Sequence, residues 1–316
     1  MEASVRRHLA TAGTTVLAPM SWGTSYVVVT ELLPDGRPLL VAAARVVPAG
    51  LVLAALGARR VTRPPAPGGT PVRRSAWPRT VVLALCNFAL FLPLLAVAVY
   101  RLPGGVAAAA GGLQPLLVAA GTWAVGAGRP GGRDLAVGVA AAAGVALVVL
   151  RPGAGFDAVG ILAAAGANVS FAAGVVLTRR LPAPPGGRVA DTGRQLLVGG
   201  AELVPLALAV EGAPSTPTAA GLAGFAYLSL VATALAFVLW FDGVRRLPAV
   251  APPLLGLTAP ATGVAVGWVL LDQSLTPVQL SGFVLIVGAV AYGVLLGSSD
   301  AVELGPARAI TMASRG

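Results

Sequence analysis

Residues 101–123 are RLPGGVAAAAGGLQPLLVAAGTW, and residues 246–268 are RLPAVAPPLLGLTAPATGVAVGW. Both stretches begin with Arg-Leu-Pro and end with Trp, and between them each has a Gly and, four residues later, a Pro at matching positions. Each stretch is largely apolar over about 20 residues, which is the length of one membrane-spanning helix. The pair therefore indicates an internal repeat.

The composition of the chain is that of a membrane protein. Its 316 residues are 56% hydrophobic and only 11% charged, whereas about 25% of the residues in a soluble domain are charged. The mean hydropathy is +0.84. A chain with so little charge cannot cover a soluble surface, so we expect the lipid bilayer to be its environment.

Ten apolar segments are long enough to cross a bilayer as helices. Since each half of the chain contributes five, an odd number, the second half must cross in the opposite sense. The sequence predicts an all-α integral membrane protein with two inverted five-helix repeats, at 13–151 and 157–297, between an N-terminus (1–12) and a C-terminal tail (298–316). The predicted spans are 13–33, 38–57, 80–100, 104–126, 134–151, 157–178, 195–214, 219–241, 248–271 and 277–297.

The arginines predict the orientation of these spans. All 22 basic residues are Arg and the net charge is +10, a balance that elsewhere suggests nucleic acid. With a cytoplasmic N-terminus, 18 arginines fall on the inner side, three on the outer side and one within a span. Because a nucleic-acid surface would not alternate loop by loop, we expect no nucleic-acid partner. We predict a multi-pass protein of the cell (plasma or inner) membrane with both termini in the cytoplasm.

Several motifs resemble those of EamA-type members of the drug/metabolite transporter superfamily. They are Trp22-Gly23-x-Ser25-Tyr26, Arg45, Tyr100-Arg101-Leu102-Pro103 leading to Gln114-Pro115, and Leu271-Asp272-Gln273-Ser274-Leu275-Thr276-Pro277-x-Gln279-x-x-Gly282. Asp272 stands where the family usually has Glu. The resemblance covers about 13–297 and implies a ten-helix fold and the export of small metabolites or drugs.

Two helices carry a proline at equivalent positions of the repeat. Pro115 and Pro260 each lack the N–H that would bond the carbonyl four residues earlier, at Gly111 and Gly256. Paired interruptions in two halves point to a transport site. We expect these carbonyls, with Gln114 and Thr258, to line a midplane cavity; helix bending for packing alone is the alternative.

Aromatic and polar side chains recur on the faces of four other predicted helices. They could wall the same cavity, a composition that suits zwitterionic or amphipathic solutes, although Asn87 and Asn168 could equally serve helix packing. The candidate substrate-binding residues are Trp22, Ser25, Tyr26, Asn87, Phe91, Gln114, Asn168, Phe171, Thr233, Trp240 and Thr258.

Two charged residues fall within predicted spans at equivalent repeat positions. An intramembrane charge is expensive, so each needs a reason. We interpret Arg45 as a structural charge. Glu202 could accept a proton for coupling or could pair with another group in packing, and the two interpretations stay open.

The sequence predicts a secondary transporter that exports amino-acid-like metabolites or xenobiotics, with a small solute, lipid and a coupling proton as candidate partners. No cofactor, metal site or enzymatic activity is expected, because the chain has one His, one Cys and no nucleotide motif. A membrane enzyme acting on lipid-linked substrates and a non-transporting scaffold are the alternatives. The small-residue patterns leave a homodimer open.

Overall fold

The described residues form a bundle of ten helices, which fits the predicted ten-span architecture. The computed structural model describes residues 2–33, 36–61, 76–102, 111–149, 157–182, 187–214, 216–249, 251–270, 276–292 and 295. Most of the predicted loop after the second span, Pro103, Asp272, the predicted tail and the side chain of Tyr26 lie outside what is described. Within the described ranges the helices are α1 (Glu2–Leu32), α2 (Pro38–Val61), α3 (76–101), α4 (Gln114–Ala124), α5 (Gly132–Val149), α6 (Ala158–Arg180), α7 (Gly187–Glu211), α8 (Ala219–Arg246), α9 (251–270) and α10 (Pro277–Tyr292).

Five described helical stretches are long and apolar enough to cross a bilayer by length and composition. They are Pro38–Ala58, Trp77–Ala98, Ala158–Arg180, Gly187–Glu211 and Ala219–Arg246, while Pro277–Tyr292 is apolar but shorter.

The second helices of the two repeats, α2 and α7, pack against each other over most of their length. Where a glycine lies on one helix, the other comes close: an added Cβ would lie 3.0 Å from Leu197 at Gly50 and 2.8 Å from Val47 at Gly200. At Gly193 it would lie 2.8 Å from the backbone of Ala54. The residue numbers of the contacts increase along α2 while those of their partners decrease along α7. The two helices are therefore antiparallel, as an inverted repeat requires.

The repeats also exchange their first helices. Helix α1 packs on α8 and α9 of the second repeat, and α6 packs on α3 and α4 of the first. Helices α5 and α10 meet at Gly144 and Gly282, where an added Cβ on Gly282 would lie 2.5 Å from the Gly144 carbonyl oxygen. Each repeat therefore completes the core of the other.

The predicted boundary of α7 is wrong by two helical turns. The predicted span starts at 195, but α7 begins at Gly187. The extra turns are stabilised because Asp191 is buried and paired with Arg79 of α3. At the start of α6, Asp157 caps the helix: its carboxylate accepts a 2.7 Å hydrogen bond from the Gly160 N–H, which lowers the pKa of Asp157.

Candidate functional site

The third helix of each repeat contains a π-helical segment. In α3 it covers Leu85–Ala89, and in α8 it covers Tyr227–Leu235. A π segment inserts extra backbone into an α-helix and is often found at functional sites. Because α3 and α8 are equivalent helices, both halves of the molecule have the same irregularity at nearly the same place.

Carbonyl groups of both π segments accept hydrogen bonds from side chains of the first helices. Ser170 of α6 donates to the Cys86 carbonyl at 2.8 Å. Trp22 of α1 donates through Nε1 to the Ala232 carbonyl at 3.1 Å. The first helix of each repeat is thus anchored to the π segment of the other repeat.

Seven aromatic rings pack together beside these segments. Phe171 stacks on Trp240 at a centroid separation of 6.0 Å, and Trp22 lies 5.3 Å from Trp240. Phe91 lies 4.8 Å from Phe171. The rings come from the first and third helices of both repeats. We call them the aromatic cluster: Trp22, Phe88, Phe91, Phe171, Phe237, Trp240 and Phe241.

Arg45 adjoins this cluster from α2. Its Nε donates to Thr233 Oγ1 at 2.8 Å and one Nη donates to the Ala232 carbonyl at 2.9 Å. Trp22 donates to that same carbonyl. Both acceptors of Arg45 are neutral, and no carboxylate is paired with it among the described residues.

Two pairs of amide side chains join helices near the cluster. Gln114 of α4 donates to the side-chain and backbone oxygens of Asn168 in α6, both at 3.0 Å. Asn87 of α3 donates weakly to Gln195 of α7 at 3.4 Å. Both Asn87 and Gln195 are fully buried, which favours the packing interpretation of Asn87.

Helices α4 and α9 are interrupted just before the predicted prolines. Described helix α4 begins at Gln114, after a turn at 112–113, with Pro115 in its first turn. Helix α9 is broken at Leu257, between Ala251–Gly256 and Thr258–Leu270. An added Cβ on Gly256 would lie 3.4 Å from the Trp240 ring, so the break in α9 borders the aromatic cluster.

Some predicted site residues bond within their own helices instead. Ser25 donates to the Ser21 carbonyl at 2.9 Å and Thr258 to the Leu255 carbonyl at 2.8 Å. Glu202 lies on the exposed face of α7, whereas the face that packs against α2 carries glycines. The structure therefore brings Trp22, Phe91, Phe171 and Trp240 together in the aromatic cluster, with Thr233 beside it through Arg45, and places Glu202 on an exposed helix face.

A network of ion pairs ties together one end of the bundle. Arg79 of α3 makes a bidentate contact with Asp191 of α7, at 2.6 and 2.9 Å, and both side chains are only 8% exposed. Arg245 of α8 lies 3.7 Å from the same carboxylate. Asp242 of α8 pairs with Arg188 of α7 and with Arg246 at 2.8 Å. We call these residues the ion-pair network.

An open cavity of about 490 Å³ lies where α2 begins and α3 and α7 end. Arg37, Leu39, Arg101 and Glu211 are among the residues that line it. The Glu211 carboxylate accepts hydrogen bonds from the N–H groups of Leu39 and Leu40, at 2.7 and 2.8 Å. This cavity is at the opposite end of α7 from Asp191.

Sequence reasoning missed the π segments, the acceptors of Arg45, and the buried residues Phe88 and Gln195. An arginine buried in a membrane needs hydrogen-bond acceptors. That requirement could have indicated that Arg45 contacts another helix. Nothing in the local sequence marks the π segments. Within the described ranges, no group of three or more His, Cys, Asp or Glu residues could hold a metal ion.

Comparison with known proteins places this architecture in a family. The EamA-like transporter family matches residues 10–150 and again residues 158–294. "Protein PecM" of Dickeya dadantii (strain 3937) is 36% identical over 273 residues, which cover 86% of this chain and 88% of that protein. A solved structure described as "Crystal structure of protein" has the same fold, with a TM-score of 0.73 at 21% identity, over 92% of this chain and 98% of its own. This multi-pass membrane protein belongs to the EamA-like transporter family.

Proposed function

We propose that this membrane transporter exports small metabolites, such as amino-acid-like solutes, or xenobiotics. The observation that carries the proposal is the aromatic cluster, which is assembled from the first and third helices of both repeats. A site shared by two inverted halves can be opened to either side by rocking one half against the other.

The chemistry of the cluster suits a partly apolar solute with a few polar groups. Ring faces supply the apolar surface, and Gln114, Asn168 and Arg45 supply hydrogen bonds at its border. Sites of this composition bind drug-sized or smaller molecules and fix their orientation through few polar contacts. Since the rings pack directly on one another in this structure, a bound solute must separate them.

Alternating access is supported by the contrast between the two ends of the bundle. At one end the ion-pair network holds α3, α7 and α8 together, and at the other end an open cavity is lined by residues of α2, α3 and α7. From the distribution of arginines we assign the ion-pair network to the cytoplasmic side, with both termini. Proton coupling through Glu202 stays a prediction.

The experiment compares extracellular small-molecule profiles, by mass spectrometry, of cells with and without the protein. The Trp22→Leu variant removes a central ring and its hydrogen bond to Ala232. The matched control is Trp123→Ala, which removes a tryptophan that is 55% exposed and lies outside the cluster. We expect one class of solute to accumulate outside only with the wild type and the Trp123 variant.

Each other outcome contradicts a stated part of the proposal. Accumulation that is unchanged in the Trp22→Leu variant would place the site away from the aromatic cluster. If no solute moves while the protein is folded in the membrane, metabolite export is wrong, and tests with xenobiotics decide between drug export and a non-transporting scaffold. A chemically altered lipid-linked product would favour the membrane-enzyme alternative.

A further inference from the structure

We propose that Arg45 binds an anionic group of the solute, and that the solute is an organic carboxylate with an apolar body. This inference rests on the proposed transport function and adds the substrate class. It departs from the structural role that the sequence predicts for Arg45.

The positive charge of Arg45 is not balanced by a negative charge among the described residues. Arg45 lies seven residues into α2, about 10 Å along the helix from its start. A charged side chain at such a depth is expensive and is normally compensated by an opposite charge or marks a substrate path. Arg45 has only the neutral acceptors Thr233 and Ala232 within the described part of the chain. A carboxylate arriving with the solute would supply the missing charge.

The Arg45 guanidinium has more N–H donors than its two observed hydrogen bonds use. A guanidinium has five N–H groups in a planar fork that matches a carboxylate, and the two observed bonds leave others available. Arg45 is also partly exposed rather than sealed in the core. Its free N–H groups can therefore face an incoming ligand while Nε stays bonded to Thr233.

Trp240 offers a second donor. This residue is 2% exposed, and its Nε1 has no hydrogen-bond partner among the residues that the structure describes. A buried N–H without a partner costs free energy unless a ligand satisfies it. Trp240 lies 5.3 Å from Trp22, and Trp22 and Arg45 donate to the same carbonyl. Trp240 Nε1 is thus a second N–H donor of the aromatic cluster that an acidic group of a ligand could satisfy.

The apolar body of the solute follows from what surrounds the donors. Trp22 and Arg45 donate to the same Ala232 carbonyl, and the Trp22 ring lies 6.3 Å from the Phe171 ring and 5.1 Å from the Phe237 ring. A small inorganic anion has no apolar surface that could contact these rings. An aryl or branched alkyl carboxylate would contact both the rings and the guanidinium.

Matched pairs of probes test the charge requirement. The purified full-length protein is titrated with phenylacetate and phenylacetamide, and with isovalerate and isovaleramide, by calorimetry and tryptophan fluorescence. We expect each carboxylate to bind about tenfold or more tightly than its amide, because hydrogen bonds to charged groups are the stronger kind. Equal affinities within both pairs, or no binding of either carboxylate at about 10 mM, would overturn the inference.

Variants separate recognition from structure. Arg45→Gln removes the charge but keeps an amide donor for Thr233 or Ala232, and Arg45→Lys keeps the charge without the fork. We expect Arg45→Gln to lose the preference for the carboxylate and Arg45→Lys to keep part of it. Arg37→Gln is the matched control, since Arg37 immediately precedes α2 and, within the described residues, its guanidinium bonds the Ala213 carbonyl and no residue of the aromatic cluster.

Uptake into proteoliposomes distinguishes failure of this inference from failure of the transport proposal. If the wild type moves amides and carboxylates equally well, transport stands and anion recognition by Arg45 is wrong. If neither carboxylate binds or is moved, while the extracellular profiles still show export of another solute, the inference is wrong and the transport proposal stands. Should Arg45→Gln lose binding of the amides as well, with a lowered melting midpoint, Arg45 is structural and the inference is wrong.

Discussion

Polar residues in the core of this bundle are held by few and specific contacts. Asn87 has one weak partner, Gln195, and its Oδ1 atom has none. It packs against Gly174 of α6, where an added Cβ would lie in steric conflict with the amide oxygen. The fit of α3 against α6 therefore depends on the absence of a single carbon atom.

We predict that Gly174→Ala destabilises the protein, because neither Asn87 nor the helix backbone can move freely in a packed core. Overpacking of this kind costs about 1–3 kcal/mol. The measurement is the melting midpoint in detergent. The double variant Asn87→Ala/Gly174→Ala should recover part of the loss. A single variant as stable as the wild type would show that α3 and α6 are not in this contact.

Helix geometry was only partly predictable from the sequence. Gly256 and Pro260 led to the expectation of an interruption in α9, because proline cannot donate a backbone hydrogen bond, and the described helix is broken at Leu257. The π segment at Tyr227–Leu235 was not predictable, since it depends on donors from other helices, Trp22 and Arg45, that satisfy its carbonyls. Trp22 and Trp240 were predicted to wall one cavity, and in the structure their rings lie 5.3 Å apart. The acceptors of Arg45 required the tertiary structure.

At the level of the interrupted helices, we predict that Pro115→Ala combined with Pro260→Ala slows transport severalfold. Alanine restores two backbone donors and favours continuous helices, which would remove the two interruptions, of which the one in α9 borders Trp240. The measurement is the initial rate of export in whole cells. The matched control is Pro48→Ala with Pro205→Ala, in α2 and α7, where the helices continue through the prolines. An equal effect of both pairs would mean that proline acts only through general packing.

The ion pairs at the two ends of the molecule differ in burial and geometry. The Arg79–Asp191 pair is buried and bidentate, whereas the Arg101–Asp157 pair, at 3.3 Å, has side chains that are 51% and 38% exposed. Removing one partner of a buried pair leaves a charge uncompensated and costs about 3–5 kcal/mol, whereas exposed pairs contribute about 0–1 kcal/mol.

We therefore predict that Asp191→Asn opens the end of the bundle that carries the ion-pair network. In a Cys86→Ala background, the Thr192→Cys variant reports the opening, since Thr192 is 1% exposed. Its rate of thiol labelling should rise about tenfold or more with Asp191→Asn and stay unchanged with Asp157→Asn. Labelling that stays slow in the Asp191→Asn variant would show that the network does not hold this end closed.

The exchange of helices between the repeats also constrains how the protein is made. Arg45 donates to Thr233, which is 188 positions further along the chain. At a synthesis rate of about 5–20 residues per second, the arginine enters the bilayer roughly 10–40 s before its acceptor exists. During that interval α2 cannot reach its final environment, and an early stop leaves a charge in lipid. A truncated first half is therefore a substrate for quality control rather than half of a transporter.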